Sequence, residues 1–149
     1  GLSWRTILEK RENFRAAFHD FDFQKVAKLG ESDVEKLLQD AGIIRHRGKI
    51  EATINNARRA IEMIEAEGSL ARYFWQYEPI NRLWDGKQMV ATTDESIAMS
   101  KDLKKRGWKF VGPTTAYAFM QAMGLVNDHL PGCETREKVE QARRIFEIP

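Results

Sequence analysis

The stretch from residue 49 to residue 67 carries apolar side chains at a spacing that suits one face of an α-helix. The steps between them are four, three, four and three residues, and the positions are Ile50, Ile54, Ala57, Ile61 and Ile64. A half-buried strand would instead alternate apolar and polar residues. The pattern therefore predicts one long amphipathic helix, which Gly68 and Ser69 interrupt.

Most of the remaining chain also has helical spacing, with residues that commonly begin or end helices. Ser3 is predicted to cap a helix that runs to about Phe18, with Trp4, Ile7, Leu8 and Phe14 as its apolar members, and Asp22 is predicted to cap a short helix that contains Val26. Two capping boxes, Ser32-Asp33-Val34-Glu35 and Thr92 with Glu95, predict two further starts. Ser69 is predicted to cap another helix, and Pro113 is predicted to be the first residue of a helix that ends near Gly124. The fold class is all-α, with roughly seven or eight helices.

Two segments in the carboxyl-terminal half have distinct predicted structures, one helical and one irregular. Residues 134–149 form a helical tail, in which a helix from Thr135 to about Glu147 buries Val139, Ala142, Ile145 and Phe146. Residues 78–93 contain Pro79 and an Asp85-Gly86 turn signal, and they are predicted to be irregular.

Composition narrows the class of protein. A chain of 149 residues is one domain by default, and 42% hydrophobic residues suffice for a core. The net charge of +2 permits nucleic acid as a partner without requiring it. Because Cys133 is the one cysteine, no disulfide forms within the chain, which favours a reducing, cytoplasmic setting. No apolar run approaches the ~20 residues that span a bilayer, and we expect a protein without a signal peptide.

The segment from Leu103 to Met123 predicts two helices joined by a glycine-containing turn. Gly112 stands at the N-cap of the second helix, followed by Pro113 and Thr114. The first amides of a helix have no partner within it and carry the positive end of its dipole, so such a start binds phosphate. Lys104, Lys105, Arg106 and Lys109 add positive charge. A plain corner between two helices with solvated lysines is the alternative.

Four stretches together resemble one enzyme family. They are GLSWRTILEKRENFRAAF at the start, DAGIIRHRGKIEA from Asp40, KRGWKFVGPTTAYAFMQAMGLVNDH from Lys105, and the His129 to Cys133 pair. In order, they are similar to the 3-methyladenine DNA glycosylase I family of the helix-hairpin-helix superfamily. The hairpin motif of that superfamily has a first glycine where this chain has Phe110, whereas Val111, Gly112, Thr115 and Ala116 match. Gly42, Ile44 and Lys49 match a second superfamily turn.

The resemblance implies a helix-hairpin-helix glycosylase-like bundle that removes 3-methyladenine from alkylated double-stranded DNA. The target nucleotide is flipped out of the stack, and a cationic base then leaves without a strong general acid. The resemblance implies that Trp4 lies in the base pocket. Without the resemblance, the ordinary interpretation of this residue would be a core tryptophan. Gly1 and Leu2 approach the DNA, where the leucine fills the gap left by the flipped base.

The hairpin residues that the resemblance assigns to DNA binding are Lys109, Phe110, Gly112, Thr114 and Thr115. Enzymes of the superfamily that also cut the strand have a lysine where this chain has Thr114, so threonine predicts a monofunctional enzyme. Asp128 follows Gly112 too closely for the aspartate of related enzymes, and we assign it turn formation with Asn127.

His129 and Cys133 are two of the four ligands of a structural zinc that the resemblance implies. The other two zinc ligands are expected upstream of Gly1. The same upstream segment is expected to carry the carboxylate that recognises the base and an aromatic partner for Trp4. We therefore assign no catalytic residue within the chain, and we interpret Glu9, Glu12 and Glu35 as helix-surface residues.

The leading interpretation is a single glycosylase-like domain over residues 1–149, monomeric and without an organic cofactor. The alternatives are a non-catalytic helix-hairpin-helix DNA-binding domain that lacks the upstream residues, and a helical interaction domain.

Overall fold

The computed structural model describes residues 3–80 and 90–149, and in both ranges the regular elements are helices, without a β-strand. The elements in chain order are α1 Trp4–Glu9, α2 Arg11–Ala17, a 3-10 turn His19–Phe21, α3 Phe23–Val26, α4 Glu31–Gln39, α5 Arg47–Glu67, α6 Leu70–Trp75, α7 Asp94–Lys105, α8 Pro113–Met123 and α9 Glu134–Arg144. The all-α prediction is confirmed. Gly1, Leu2 and the predicted Asp85-Gly86 turn lie outside the described residues.

The chain divides into two compact units, residues 1–62 and 63–149, and each has its own apolar core. The core of the first unit consists of Phe18, Val26, Val34, Leu37, Ile43, Ile50, Ile54 and Ala57. The core of the second consists of Met63, Tyr73, Trp75, Met99, Leu103, Ala116, Tyr117, Met120, Leu125 and Val126. The predicted apolar face of α5 is thus mostly buried, since Ile50 and Ile54 are 2% and 4% exposed.

The first predicted helix is interrupted at Lys10, so a single helix from Ser3 to Phe18 is wrong. Ser3 does cap α1, because its hydroxyl accepts a hydrogen bond from the Thr6 amide. At Lys10 the chain turns, and the Lys10 ammonium donates to the carbonyls of Ala41 at 2.8 Å and Gly42 at 3.2 Å. These partners lie some thirty residues away along the chain, and helical periodicity carries no information about them.

Two predicted capping boxes are displaced along the chain. Helix α4 begins after Gly30, whose amide donates to the Asp33 carboxylate at 3.1 Å, and not at Ser32. Helix α7 begins after Thr93, whose amide donates to the Ser96 hydroxyl at 2.8 Å, and not at Thr92. In both cases a short side chain three residues into the turn reaches back to the cap amide.

Other predicted boundaries are confirmed. Asp22 caps α3 and Ser69 caps α6 through their side chains, whereas Pro113 is the first residue of α8. Gly124 ends α8 with a φ of 77°, a left-handed conformation that glycine adopts without strain.

The prediction that α9 buries four apolar side chains is wrong, because no residue of this helix is buried. Ile145 lies just beyond its end and is 86% exposed. Phe146 packs its ring 4.7 Å from that of Trp75 and remains 42% exposed. None of the helices in the described ranges has both the length and the apolar character that crossing a bilayer requires.

Candidate nucleic-acid interface

Helices α7 and α8 of the second unit form the predicted hairpin. The Gly107 and Trp108 amides close the end of α7 by donating to the carbonyls of Lys104 and Leu103, both at 3.0 Å. No side chain caps the start of α8, and its first helical bond runs from the Ala116 amide to the Gly112 carbonyl at 2.9 Å. The amides ahead of Ala116 therefore form an uncapped helix start that can accept an anion.

Gly112 offers space at this helix start. Its φ of −65° suits any residue, and a Cβ built on it would meet no atom within 4 Å. Neither backbone conformation nor internal packing therefore demands glycine at this position. The side chains of Thr114 and Thr115, which follow in the first turn, are exposed. The hairpin thus leaves room for a ligand to approach the backbone closely.

Phe110 departs from the superfamily motif in residue type but not in backbone conformation. Its φ is 57°, in the left-handed region that favours glycine. For a non-glycine residue this conformation costs about 1–2 kcal/mol. The ring is 57% exposed, so its burial does not offset that cost. The turn keeps the glycine-like geometry of the motif while presenting an aromatic ring.

The predicted basic residues around the hairpin fall into two groups. Lys104, Lys105 and Lys109 are exposed. Arg106 instead donates from Nε to Asp102 at 2.7 Å, and its Nη2 lies 2.7 Å from a Glu67 oxygen. These carboxylates largely neutralise Arg106, so its predicted contribution to phosphate attraction is small, and the lysines supply the positive charge.

Asp102 belongs to a polar cluster beneath the hairpin. The Tyr73 hydroxyl donates to Asp102 at 2.8 Å, and the Arg106 guanidinium lies 4.9 Å from the centre of the Tyr73 ring. Burial opposes ionisation of Asp102, but the hydrogen bonds from Tyr73 and Arg106 outweigh it and hold the pKa of this carboxyl below its usual value. The cluster therefore keeps a carboxylate that fixes the end of α7.

Trp4, in the first unit, is not a core residue. Its side chain is 83% exposed at the start of α1, and it takes no part in the apolar core of that unit. The ordinary interpretation of a tryptophan near a helix start, a buried anchor, is therefore wrong here. The exposed indole has a face that can stack on a planar ligand.

Comparison with known proteins identifies the family. A profile described as methyladenine glycosylase matches residues 1–137. DNA-3-methyladenine glycosylase 1 of Escherichia coli (strain K12) is 53% identical over 137 residues, which cover 89% of this chain and 73% of that protein. DNA-3-methyladenine glycosylase of Haemophilus influenzae is 46% identical over 137 residues, or 74% of its length.

The chain belongs to the methyladenine glycosylase family. A solved structure of 3-methyladenine DNA glycosylase I from Staphylococcus aureus, described as the basis of 3-methyladenine recognition, superposes with a TM-score of 0.85. It is 36% identical, and the match covers 91% of this chain and 74% of that one. These matches confirm the predicted family and fold class, and they do not favour the non-catalytic alternative.

In this methyladenine glycosylase, the carboxylates that we interpreted as surface residues are engaged in ion pairs. Glu9 pairs with Arg5 at 2.8 Å and Glu12 with Arg15 at 3.7 Å. Glu35 accepts from Arg47. These pairs stay within the first unit, and the interpretation of surface roles stands.

Asp128 has a defined partner set in the second unit. Its carboxylate accepts hydrogen bonds from the Tyr117 hydroxyl at 3.0 Å and from the Gln121 amide. Burial, together with the Asp128 carboxylate, raises the pKa of Tyr117 to about 12. The neighbouring Asn127 is 2% exposed and donates to the Arg136 carbonyl at 2.9 Å. Both residues thus fasten the loop after α8, beyond simple turn formation.

Cys133 stands at the N-cap of α9. Hydrogen bonds from the backbone amides of Thr135 and then Arg136 hold the pKa of the Cys133 thiol below its usual value, which favours the thiolate that metals bind. However, residues 3–80 and 90–149 gather no group of three or more metal-ligating side chains. His129 and Cys133 therefore do not make a four-ligand zinc site with the described residues alone, and zinc stays a prediction.

A cavity of about 500 Å³ lies between α8, α9 and the loop that joins them. Trp75, Met123, His129, Arg143 and Phe146 are among the residues that line it. None of the predicted DNA-binding residues borders this cavity. It therefore borders the end of α8 and is separate from the predicted DNA-binding turn between α7 and α8.

Sequence reasoning missed one residue of the hairpin. The Ser100 hydroxyl, 1% exposed in α7, donates to the Val111 carbonyl at 2.6 Å. A serine among the apolar residues of a helix face is the only sequence signal, and it does not reveal the partner.

Proposed function

We propose that this chain hydrolyses the N-glycosidic bond of 3-methyladenine in alkylated double-stranded DNA and releases the free base. The observation that carries the proposal is the uncapped start of α8 at Gly112, with open space around it, in a chain of the methyladenine glycosylase family. That helix start supplies the binding site for the DNA backbone that a base-flipping enzyme requires.

The hairpin binds the sugar-phosphate backbone. A phosphate oxygen accepts hydrogen bonds from the amides at Gly112, Thr114 and Thr115, where the helix dipole is positive. Pro113 has no amide to donate, and its fixed φ holds the first turn in helical geometry. Lys109 on the turn and Phe110 beside it complete the predicted contact surface. Such contacts position the protein without reading the base sequence.

Trp4 stacks on the flipped base. Methylation at N3 places positive charge on adenine, and an indole face attracts a cation by about 1–2 kcal/mol. The same charge weakens the glycosidic bond before the enzyme acts, so selective binding of the base and access of a water suffice for hydrolysis. The exposure of Trp4 supports this role. Gly1 and Leu2, which the resemblance places against the DNA, belong to the proposal as residues outside the described part of the chain.

The enzyme is monofunctional. Strand cleavage by related enzymes passes through a Schiff base between a lysine amine and the sugar. Thr114 has no amine, and its side chain is exposed in the first turn of α8. The reaction therefore ends with a free base and an abasic site in an intact strand.

Three further expectations belong to the proposal. His129 and Cys133 contribute two ligands to a structural zinc, which takes no part in any step described above; the lowered pKa of the Cys133 thiol supports this. A cytoplasmic location is supported by the single cysteine. A monomeric state is also part of the proposal.

The test is release of base from methylated duplex DNA. DNA treated with a methylating agent is incubated with the chain, the released bases are separated by chromatography, and the strand is examined for breaks. We expect free 3-methyladenine and an intact strand. At protein concentrations below saturation, Gly112→Asp should release less base, because an anion at this position repels phosphate and weakens DNA binding. The same assay is run on a protein extended upstream by the residues in which the base-reading carboxylate is expected, and absence of any released base from that extended protein would overturn the proposal.

A further inference from the structure

Ser100 is a buried polar residue on an apolar helix face. It shares the buried side of α7 with Met99 and Leu103, and it is 1% exposed. A hydroxyl in such surroundings costs free energy unless it is hydrogen-bonded. Serine within a helix commonly satisfies its hydroxyl with the carbonyl four residues earlier. Ser100 instead donates to Val111, which lies beyond the turn of the hairpin.

This hydrogen bond fixes the orientation of one peptide plane. The Val111 carbonyl and the Gly112 amide belong to the same peptide unit, and no cis peptide bond occurs in the described residues. In a trans peptide the carbonyl oxygen and the amide hydrogen point in opposite directions. Because the Val111 oxygen points to Ser100 in the interior at 2.6 Å, the Gly112 amide points away from α7.

We propose that Ser100 is a positioning residue that aims the Gly112 amide at the DNA phosphate. The inference rests on the proposed function of the hairpin, to which it adds a residue that contacts no DNA itself. Without the hydroxyl, the Val111 carbonyl loses its buried donor, and the peptide plane is free to rotate toward another partner. The phosphate then loses a donor that was oriented before binding.

A matched control exists in the first turn of the same helix. Ser96 is fully buried in α7, and its hydroxyl donates to the Thr93 carbonyl at 2.9 Å. Ser96→Ala therefore removes the same group from the same helix. It loses two local hydrogen bonds with the Thr93 backbone, far from the Val111–Gly112 peptide in sequence. A purely structural role predicts similar consequences for the two substitutions.

The experiment measures duplex binding per folded molecule. Dissociation constants for a short unmodified duplex are determined at fixed salt for the unaltered chain, Ser100→Ala, Ser96→Ala and Gly112→Asp, with the folded fraction of each measured by urea unfolding. We expect Ser100→Ala to weaken binding about tenfold, in line with loss of a hydrogen bond to a charged group. Ser96→Ala should bind within about twofold of the unaltered chain, and Ser100→Thr, which keeps a hydroxyl, should recover most of the affinity.

Equal binding by Ser100→Ala and Ser96→Ala, while Gly112→Asp still loses binding, would overturn this inference and leave the proposed function standing. No duplex binding by the unaltered chain would overturn both. If Ser100→Ala fails to fold, the unaltered chain still decides the matter by nuclear magnetic resonance. The Gly112 amide signal should shift on addition of the duplex, and an unmoved signal at saturation would contradict the proposal.

Discussion

Gly112 and Gly42 show that two glycines serve different purposes. A Cβ at Gly112 would stand in open space. A Cβ at Gly42 would lie 2.9 Å from an Asp40 carboxylate oxygen and 3.2 Å from the Asn13 amide nitrogen. A methyl group at position 42, in the turn before α5, would therefore crowd the Asp40 carboxylate that accepts a hydrogen bond from the Gly42 amide, whereas position 112 needs glycine only when a ligand comes close.

This contrast predicts opposite outcomes for the two alanine substitutions. Gly112→Ala should change the free energy of unfolding by less than about 1 kcal/mol, because the N-cap preference for glycine and the entropy of the unfolded chain oppose each other. Its duplex affinity should fall, since a methyl group occupies the approach of the phosphate. Gly42→Ala should lose about 1–3 kcal/mol through overpacking. Urea unfolding and duplex titration measure both, and full affinity in Gly112→Ala would contradict the interpretation.

At the residue scale, the sequence predicts the helix-start residues of the hairpin better than it predicts the contacts that hold the hairpin in place. Gly112, Pro113 and Thr114 follow local rules of helix starts, so their placement is confirmed. The partners of Ser100 and Arg106 are set by the three-dimensional arrangement of α7 with its neighbours, and a sequence pattern does not show them. In particular, the sequence groups Arg106 with the lysines as positive charge available to DNA, whereas in the structure it forms ion pairs with Asp102 and Glu67.

At the scale of elements, α9 packs on its unit through an ion pair and hydrogen bonds rather than through a buried apolar face. Arg143 donates to both carboxylate oxygens of Glu78, with Nη2 at 2.8 and 2.7 Å, and its guanidinium lies 4.9 Å from the centre of the Trp75 ring. Both side chains are largely buried, at 14% and 17% exposure. This is a bidentate arginine–carboxylate ion pair, which is stronger than an ordinary ion pair on the surface.

Removing this pair should destabilise the second unit. We expect Arg143→Ala to lower the free energy of unfolding by about 2–3 kcal/mol, because the Glu78 carboxylate is left partly buried without its donor. Arg5→Ala is the control, since its pair with Glu9 is 88% and 63% exposed and should contribute less than about 0.5 kcal/mol. Urea unfolding measures both. Equal losses in the two variants would show that α9 is held by other contacts.

The helix ends that sequence predicts are those with local chemistry. Asp22, Ser69 and Gly124 act within their own turns, and the structure places them as expected. The turn at His19–Phe21 has no such signal. Its three non-glycine residues have φ values of 53°, 55° and 57°, and Phe21 stacks on Phe18 with ring centres 5.9 Å apart. The left-handed conformation of these residues, which contain no glycine, is therefore not predictable from local sequence rules.

At the scale of the whole molecule, the two units carry different parts of the proposed function. In that proposal, the first unit contributes Trp4 as the base-binding residue, and the second contributes the hairpin as the phosphate-binding element. Each unit has its own core, so a substitution at an exposed residue of one should leave the other folded. Binding of duplex and release of base should therefore respond separately to mutation.

The most direct test compares Trp4→Ala with Gly112→Asp in two assays, duplex affinity and the single-turnover rate of 3-methyladenine release at saturating protein. The account predicts that Trp4→Ala lowers the release rate by about tenfold or more, equivalent to about 1.4 kcal/mol, with affinity changed by no more than about threefold. It predicts that Gly112→Asp weakens affinity by about tenfold or more while release at saturation largely persists. Parallel losses in both assays for both variants would contradict the division between a base-binding tryptophan and a phosphate-binding hairpin.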